Sequence, residues 1–190
     1  MPSFHEQLRQ CFQGRVCLMG IGNAEYGDDG FGVRLAGTVA DRLKDSGRST
    51  VVPTILIAET EPERFIGRVA ENCFDRLVFL DAVEVGEAPG SVVILSSREI
   101  VARFPQVSTH KISLGTLARW VEASGTTQVR LLGVQPGSLK PSEKLTPSVQ
   151  RTVEILSDLL ISYWSPNHME KLPDDLLRPI RRTTAEEDLC

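Results

Sequence analysis

The run from Cys17 to Gly32, CLMGIGNAEYGDDGFG, commits this end of the chain to a strand, a tight turn and a helix in that order. Val16 to Met19 is a short apolar segment that stops at a glycine, which reads as a buried strand. Gly20, Gly22 and Gly27 permit backbone angles closed to other residues, for a tight turn or for close approach by a ligand or peptide. The adjacent carboxylates of Asp28 and Asp29 follow. After Gly30 a helical face begins, with Ala36, Val39, Ala40 and Leu43 at helical spacing. A dinucleotide-binding turn is superficially alike, but its G-x-G-x-x-G fingerprint needs glycine at position 25, where Glu25 stands. Such a turn also relies on backbone N–H groups free of local negative charge. Here an acid pair takes the place of a phosphate, which favours a cation or a cationic substrate group.

Further strands and helices alternate along the chain. Val51 to Ile57 reads as a second strand, with Pro53 marking an edge position or a late start. Pro62 to Val69 reads as a short helix with proline in its first turn. Arg76 to Leu80 is a third strand, running into Asp81, and Ser91 to Leu95 a fourth. The connection from Ala82 to Gly90 is too short for a helical crossover. Strands three and four are therefore expected to be antiparallel or merely adjacent, and the sheet mixed. Leu114, Leu117, Ala118 and Val121 form another helical face that ends near Gly125. Val129 to Val134 is the fifth strand. Thr146 and Pro147 then signal the start of a final long helix striped by Val149, Val153, Leu156 and Leu160. The pattern predicts a three-layer α/β/α sandwich with a mostly parallel, mixed five-stranded sheet.

A chain of 190 residues fits one domain, here residues 1–164, with 165–190 read as a mobile tail rich in charge and poor in apolar residues. The net charge of -4 offers no footprint for nucleic acid. No segment is long and apolar enough for a membrane span, and Met1 to Gln13 lacks the apolar core of a signal peptide, so a cytoplasmic protein is expected. Cys11, Cys17, Cys73 and Cys190 contain no C-x-x-C pair, which argues against a disulfide framework or a cysteine-rich zinc site. Cys17, inside an apolar strand, reads as a small buried hydrophobe.

Ligands of open α/β sheets gather at the carboxyl ends of the strands. Asp28 and Asp29 follow the first strand, Asp81 closes the third, and His110 precedes the helix at Leu114. Two carboxylates and one imidazole would suit zinc, nickel or another borderline divalent ion. They would equally suit an acid/base pair for hydrolysis. Each also has a plainer reading. Asp28 or Asp29 would cap the helix that follows, Asp81 would be a turn residue, and His110 would be structural or solvated. Nothing argues for His5 or His168 as ligands.

The blocks Gly20-x-Gly22-Asn23-x-x-x-Gly27-Asp28-Asp29-Gly30-x-Gly32, Leu77 to Ala82 with Gly86-x-x-Pro89-Gly90, Thr109-His110, and Leu132-Gly133-Val134-Gln135-Pro136 resemble the nickel–iron hydrogenase maturation endopeptidases. The likeness runs in order from about Val16 to Leu160, and Asp28-Asp29-Gly30 resembles the branch serving hydrogenase 3 of formate hydrogenlyase. It implies an endopeptidase that removes a short C-terminal peptide from the large-subunit precursor once nickel is in place. It maps the metal-contacting trio onto Asp29, Asp81 and His110, with Asp29 and Asp81 as the catalytic carboxylates. No permanently bound cofactor is expected, since the nickel arrives with the precursor, and the enzyme is expected to be a monomer. Whether hydrolysis is aspartic-type or metal-assisted stays open. No serine or cysteine nucleophile is implied. Competing readings are a self-contained zinc hydrolase, a nickel-dependent chaperone or binding module for the same precursor, and, more distantly, a dinucleotide-binding protein.

Overall fold

A computed structural model of the chain describes residues 3–46, 52–104, 112–123 and 125–164. Among these, the strands are β1 (Val16–Ile21), β2 (Thr54–Glu59), β3 (Arg76–Ala82), β4 (Val92–Ser96) and β5 (Gln128–Val134). The α-helices are α1 (Phe4–Cys11), α2 (Phe31–Ser46), α3 (Ile66–Glu71), α4 (Ser97–Arg103), α5 (Leu114–Ala123) and α6 (Pro147–Trp164). The strands form one sheet in the order β2-β1-β3-β5-β4. β2, β1, β3 and β5 are parallel, and β4 runs antiparallel to β5. The mixed, mostly parallel sheet expected from the sequence is thus present.

Burial explains why the central strands read as continuous apolar runs. All six residues of β1 are buried, as are the five from Leu77 to Asp81 in β3. Central parallel strands are covered on both faces, so neither side alternates with polar residues. One face carries Leu18, Val78, Leu80 and Leu132 against α1, α2 and α6. The other carries Cys17, Met19, Leu77, Phe79 and Leu131 against α3, α4 and α5. Each fully buried leucine or phenylalanine among them contributes roughly 1.5–3 kcal/mol relative to an exposed position. β2 sits at the edge, starts just after Pro53, and exposes Ile57.

Three differences from the sequence-based expectations have physical causes. The fourth strand is antiparallel, but its partner is β5 and not β3. The connection after β3 is long enough to step over β5, whose own N–H and C=O groups pair on both sides. Helix α1 starts at Ser3, whose side chain accepts the Glu6 N–H, a capping signal inside a segment too polar to read as structure. Helix α4 starts with a reciprocal capping box between Ser96 and Glu99, but seven residues are too few to show a helical period. The expected tail, residues 165–190, lies outside the described residues.

Candidate active site

The carboxyl edge of β1 and β3 is where the chain concentrates its glycines and carboxylates. β1 ends at Ile21, and Gly22 turns the backbone with φ of 119°. A Cβ there would lie 1.8 Å from the carbonyl oxygen of Asp29, so no other residue fits this crossing. Residues Gly27–Gly30 form a 3-10 turn that leads directly into α2. Gly32, in the first turn of α2, is jammed against the sheet: a Cβ would lie 1.8 Å from the Leu80 carbonyl oxygen and 2.5 Å from that of Ile21. The helix start is thereby pressed onto the ends of β1 and β3, the two strands that present the site.

The adjacent aspartates have different environments. Asp28 is fully buried. Its Oδ2 accepts hydrogen bonds from the N–H of Gly137 (2.8 Å), the N–H of Ser138 (3.1 Å) and the hydroxyl of Thr146 (2.8 Å). Its Oδ1 accepts the N–H of Thr146 at 2.7 Å. Four donors thus converge on one buried carboxylate and satisfy both of its oxygens. Asp28 therefore does not cap the helix that follows it; it binds the loop after β5 and the amino end of α6, where negative charge is favoured. The Thr146 hydroxyl, expected from the sequence as a cap for α6, is turned to Asp28 instead.

Asp29 is only half-buried. Its Oδ2 accepts the Asn23 N–H at 2.6 Å, which ties the carboxylate back over the glycine turn. Its Oδ1 makes no hydrogen bond among the described residues. Asp81 is buried at the end of β3, and its Oδ1 accepts the N–H of Ala82 at 2.9 Å. Register sets the two acids at one edge: Gly20 pairs with Leu80, so Asp81 follows one residue beyond that pair and the turn at Gly22 two residues beyond it. His110, the third member of the expected trio, lies outside the described residues, as does His168. Among the described residues no three histidine, cysteine, aspartate or glutamate side chains form a metal-holding group.

Two further polar residues brace these loops: Arg34, which the sequence reading did not single out, and Gln135, which it named only within the block from Leu132 to Pro136. Arg34 of α2 donates from Nη2 to the carbonyl oxygens of Ala24 (3.3 Å) and Glu143 (2.5 Å), linking the glycine loop to the loop before α6. The backbone repeats that link, with the N–H of Gly27 on the Ser142 oxygen and the N–H of Asp28 on the Ser138 oxygen. Gln135, just past β5, binds the loop after β3. No spacing rule reveals such residues, because their partners lie about 10 to 110 positions away in the chain.

The two buried cysteines, Cys11 and Cys17, are poor nucleophiles. Burial pushes the Cys17 thiol up to about 12 and the Cys11 thiol up to about 11, with nearby arginines opposing the shift only in part. Attack requires the thiolate, which is scarce at neutral pH under these conditions.

Comparison with known proteins identifies the fold and the family. A crystal structure of a [NiFe] hydrogenase maturation protease, HycI from Thermococcus kodakarensis KOD1, superposes with a TM-score of 0.68 at 31% identity, over 80% of this chain and 95% of that one. The hydrogenase maturating endopeptidase HybD from Escherichia coli superposes with a TM-score of 0.64 at 26% identity, over 78% and 91%. The hydrogenase 2 maturation protease of Escherichia coli is 27% identical over 86% of this chain and 98% of its own length. The hydrogenase 3 maturation protease of the same organism is 28% identical over 72% and 83%. Fold and relatives together define a hydrolase of the three-layer α/β/α maturation-protease type. The family model for HycI, hydrogenase maturation protease, matches residues 33–163, and the chain belongs to that family. The two Escherichia coli relatives match to similar degrees, so identity alone does not separate the hydrogenase 2 and hydrogenase 3 branches.

Proposed function

We propose that this protein is the endopeptidase that removes a short C-terminal peptide from the nickel-loaded large-subunit precursor of a nickel–iron hydrogenase. The observation that carries the proposal is the pair Asp29 and Asp81 at the carboxyl edge of β1 and β3. One oxygen of Asp29 is uncommitted among the described residues, whereas its neighbour Asp28 is fully engaged. In this reading Asp29, Asp81 and His110 take open coordination positions on the nickel that the precursor already holds. An unloaded precursor offers them nothing to grip, so cleavage waits for the metal through differential affinity. The nickel then polarises the scissile carbonyl or activates a water, or one aspartate serves as the base on that water. The family membership supports the peptidase activity, and the carboxylate placement supports the nickel-sensing step.

The test incubates nickel-loaded precursor with the wild-type chain and with Asp29→Ala, Asp81→Ala and His110→Ala. Each substitution is expected to slow shortening of the precursor by about 100-fold or more, read by mass spectrometry. Undiminished shortening by any of them removes that residue from the site. Equal shortening of nickel-free precursor removes the checkpoint. Binding without shortening would mark a chaperone-like module, and a stoichiometric, dialysis-resistant zinc a self-contained zinc hydrolase.

A further inference from the structure

Gln135 uses every polar atom it has on the segment that follows Asp81. Its Oε1 accepts the N–H groups of three consecutive residues, Val85 (2.8 Å), Gly86 (3.0 Å) and Glu87 (3.3 Å). Its Nε2 donates to the Glu84 Oε2 at 2.8 Å and to the Pro136 oxygen at 3.2 Å. Its backbone N–H donates to the Ser91 oxygen, and its backbone oxygen accepts the Gly90 N–H. The side chain is buried, so these bonds are shielded from competing water. One residue thus holds the connection from Glu84 to Ser91 at both ends and in the middle.

That connection begins next to a proposed catalytic acid. Asp81 pairs with Gly133 and Ala82 with Val134, and the Val83 N–H then bonds the Val134 oxygen. Sheet pairing stops there, and Gln135 takes over at the next residue. Three adjacent N–H groups converging on one point form a concave nest that would collapse or fill with water without its acceptor. A purely apolar residue at 135 would take the one acceptor shared by these three part-buried bonds away from the N–H groups.

We propose that Gln135 is a positioning residue for Asp81: it clamps the segment after β3 so that this carboxylate meets the reacting group in one fixed geometry. The inference rests on the peptidase reading above. Gln135 touches no substrate in this account and acts only through the loop. Misplacing a reacting group by about 1 Å can cost about 100-fold in rate, and loss of a residue supporting a metal-contacting group about 10- to 100-fold.

The experiment uses the full chain and nickel-loaded precursor, with Gln135→Leu, Gln135→Glu, and Gln135→Glu combined with Glu84→Gln. Glutamate keeps an acceptor for the three N–H groups but loses both donors and faces Glu84; the second change returns a donor between the two side chains. Gln135→Leu is expected to lower kcat about 10- to 100-fold with precursor affinity within about 3-fold of wild type. Amide hydrogen exchange should quicken at Val85, Gly86 and Glu87 and not in β1 or β3. Gln135→Glu should also lose rate, and adding Glu84→Gln should recover most of it. A kcat within about 2-fold of wild type despite faster exchange overturns the proposal, as does a loss confined to affinity. Should the leucine variant not fold, the glutamate pair decides: no loss, or a loss that Glu84→Gln does not repair, counts against it. If the wild-type chain leaves the precursor intact, the peptidase reading fails and this inference goes with it.

Discussion

Thr146 gives Asp28 two hydrogen bonds, one from its backbone N–H at 2.7 Å and one from its hydroxyl at 2.8 Å. The residues are 118 positions apart, and the contact fastens the start of α6 to the turn that carries Asp29. Asp28→Asn replaces one acceptor oxygen with a donor that faces donors. We expect a loss of about 2–4 kcal/mol in urea unfolding, and about 1–2 kcal/mol for Thr146→Val, which removes the hydroxyl alone. Equal stability of Asp28→Asn and wild type would mean the carboxylate does not bind this loop in solution.

Asp29 should show the opposite profile. Among the described residues its side chain accepts one hydrogen bond, and it is partly open to solvent. Asp29→Asn should therefore cost less than about 1 kcal/mol of stability while precursor cleavage falls sharply. Comparing melting and cleavage for the two asparagine variants separates the supporting acid from the site acid.

Two glycines of α2 should respond to alanine with opposite signs. A Cβ at Gly32 would run into the Leu80 and Ile21 carbonyls, whereas one at Gly37 would meet nothing within 4 Å. Gly37→Ala should stabilise by about 0.5–1 kcal/mol, the helix-interior advantage of alanine. Gly32→Ala should destabilise by more than about 3 kcal/mol or prevent folding, because the helix must lift off the sheet. Thermal midpoints of the two variants test this.

Alkaline pH should weaken the fold through its buried thiols. Burial raises Cys11 from the ordinary 9.0 to about 11 and Cys17 to about 12. The unfolded chain ionises first, so this contribution is fully present below about pH 9 and is lost as pH climbs towards 11 and 12. Tyr163, raised by burial from 10.0 to about 12, adds to the same trend. Unfolding free energies measured from pH 8 to 11 should decline above pH 9, and less steeply in Cys11→Ala and in Cys17→Ala than in the wild type. At pH 8 a thiol reagent should label the exposed Cys73 and spare Cys11 and Cys17 until the chain unfolds. Rapid labelling of Cys17 in the native chain would contradict its burial.

The layers, the strands and the carboxyl-edge location of Asp29 and Asp81 were legible in the sequence, because each rests on local pattern. A doubly covered strand must be apolar throughout, as β1 and β3 are. A helix start pressed on strand ends needs glycine, as at Gly32. The short helices α1 and α4 carried only their capping pairs, Ser3 with Glu6 and Ser96 with Glu99, which a search for hydrophobic period passes over. The choice of β5 as the partner of β4 and the division of labour between Asp28 and Asp29 came only with the tertiary structure. Neighbouring aspartates are chemically identical until the fold brings Gly137, Ser138 and Thr146 to one and leaves the other half open. Sequence pattern sets which residues are buried in each element; long-range backbone donors, placed by loops of no particular period, set what a polar side chain is used for.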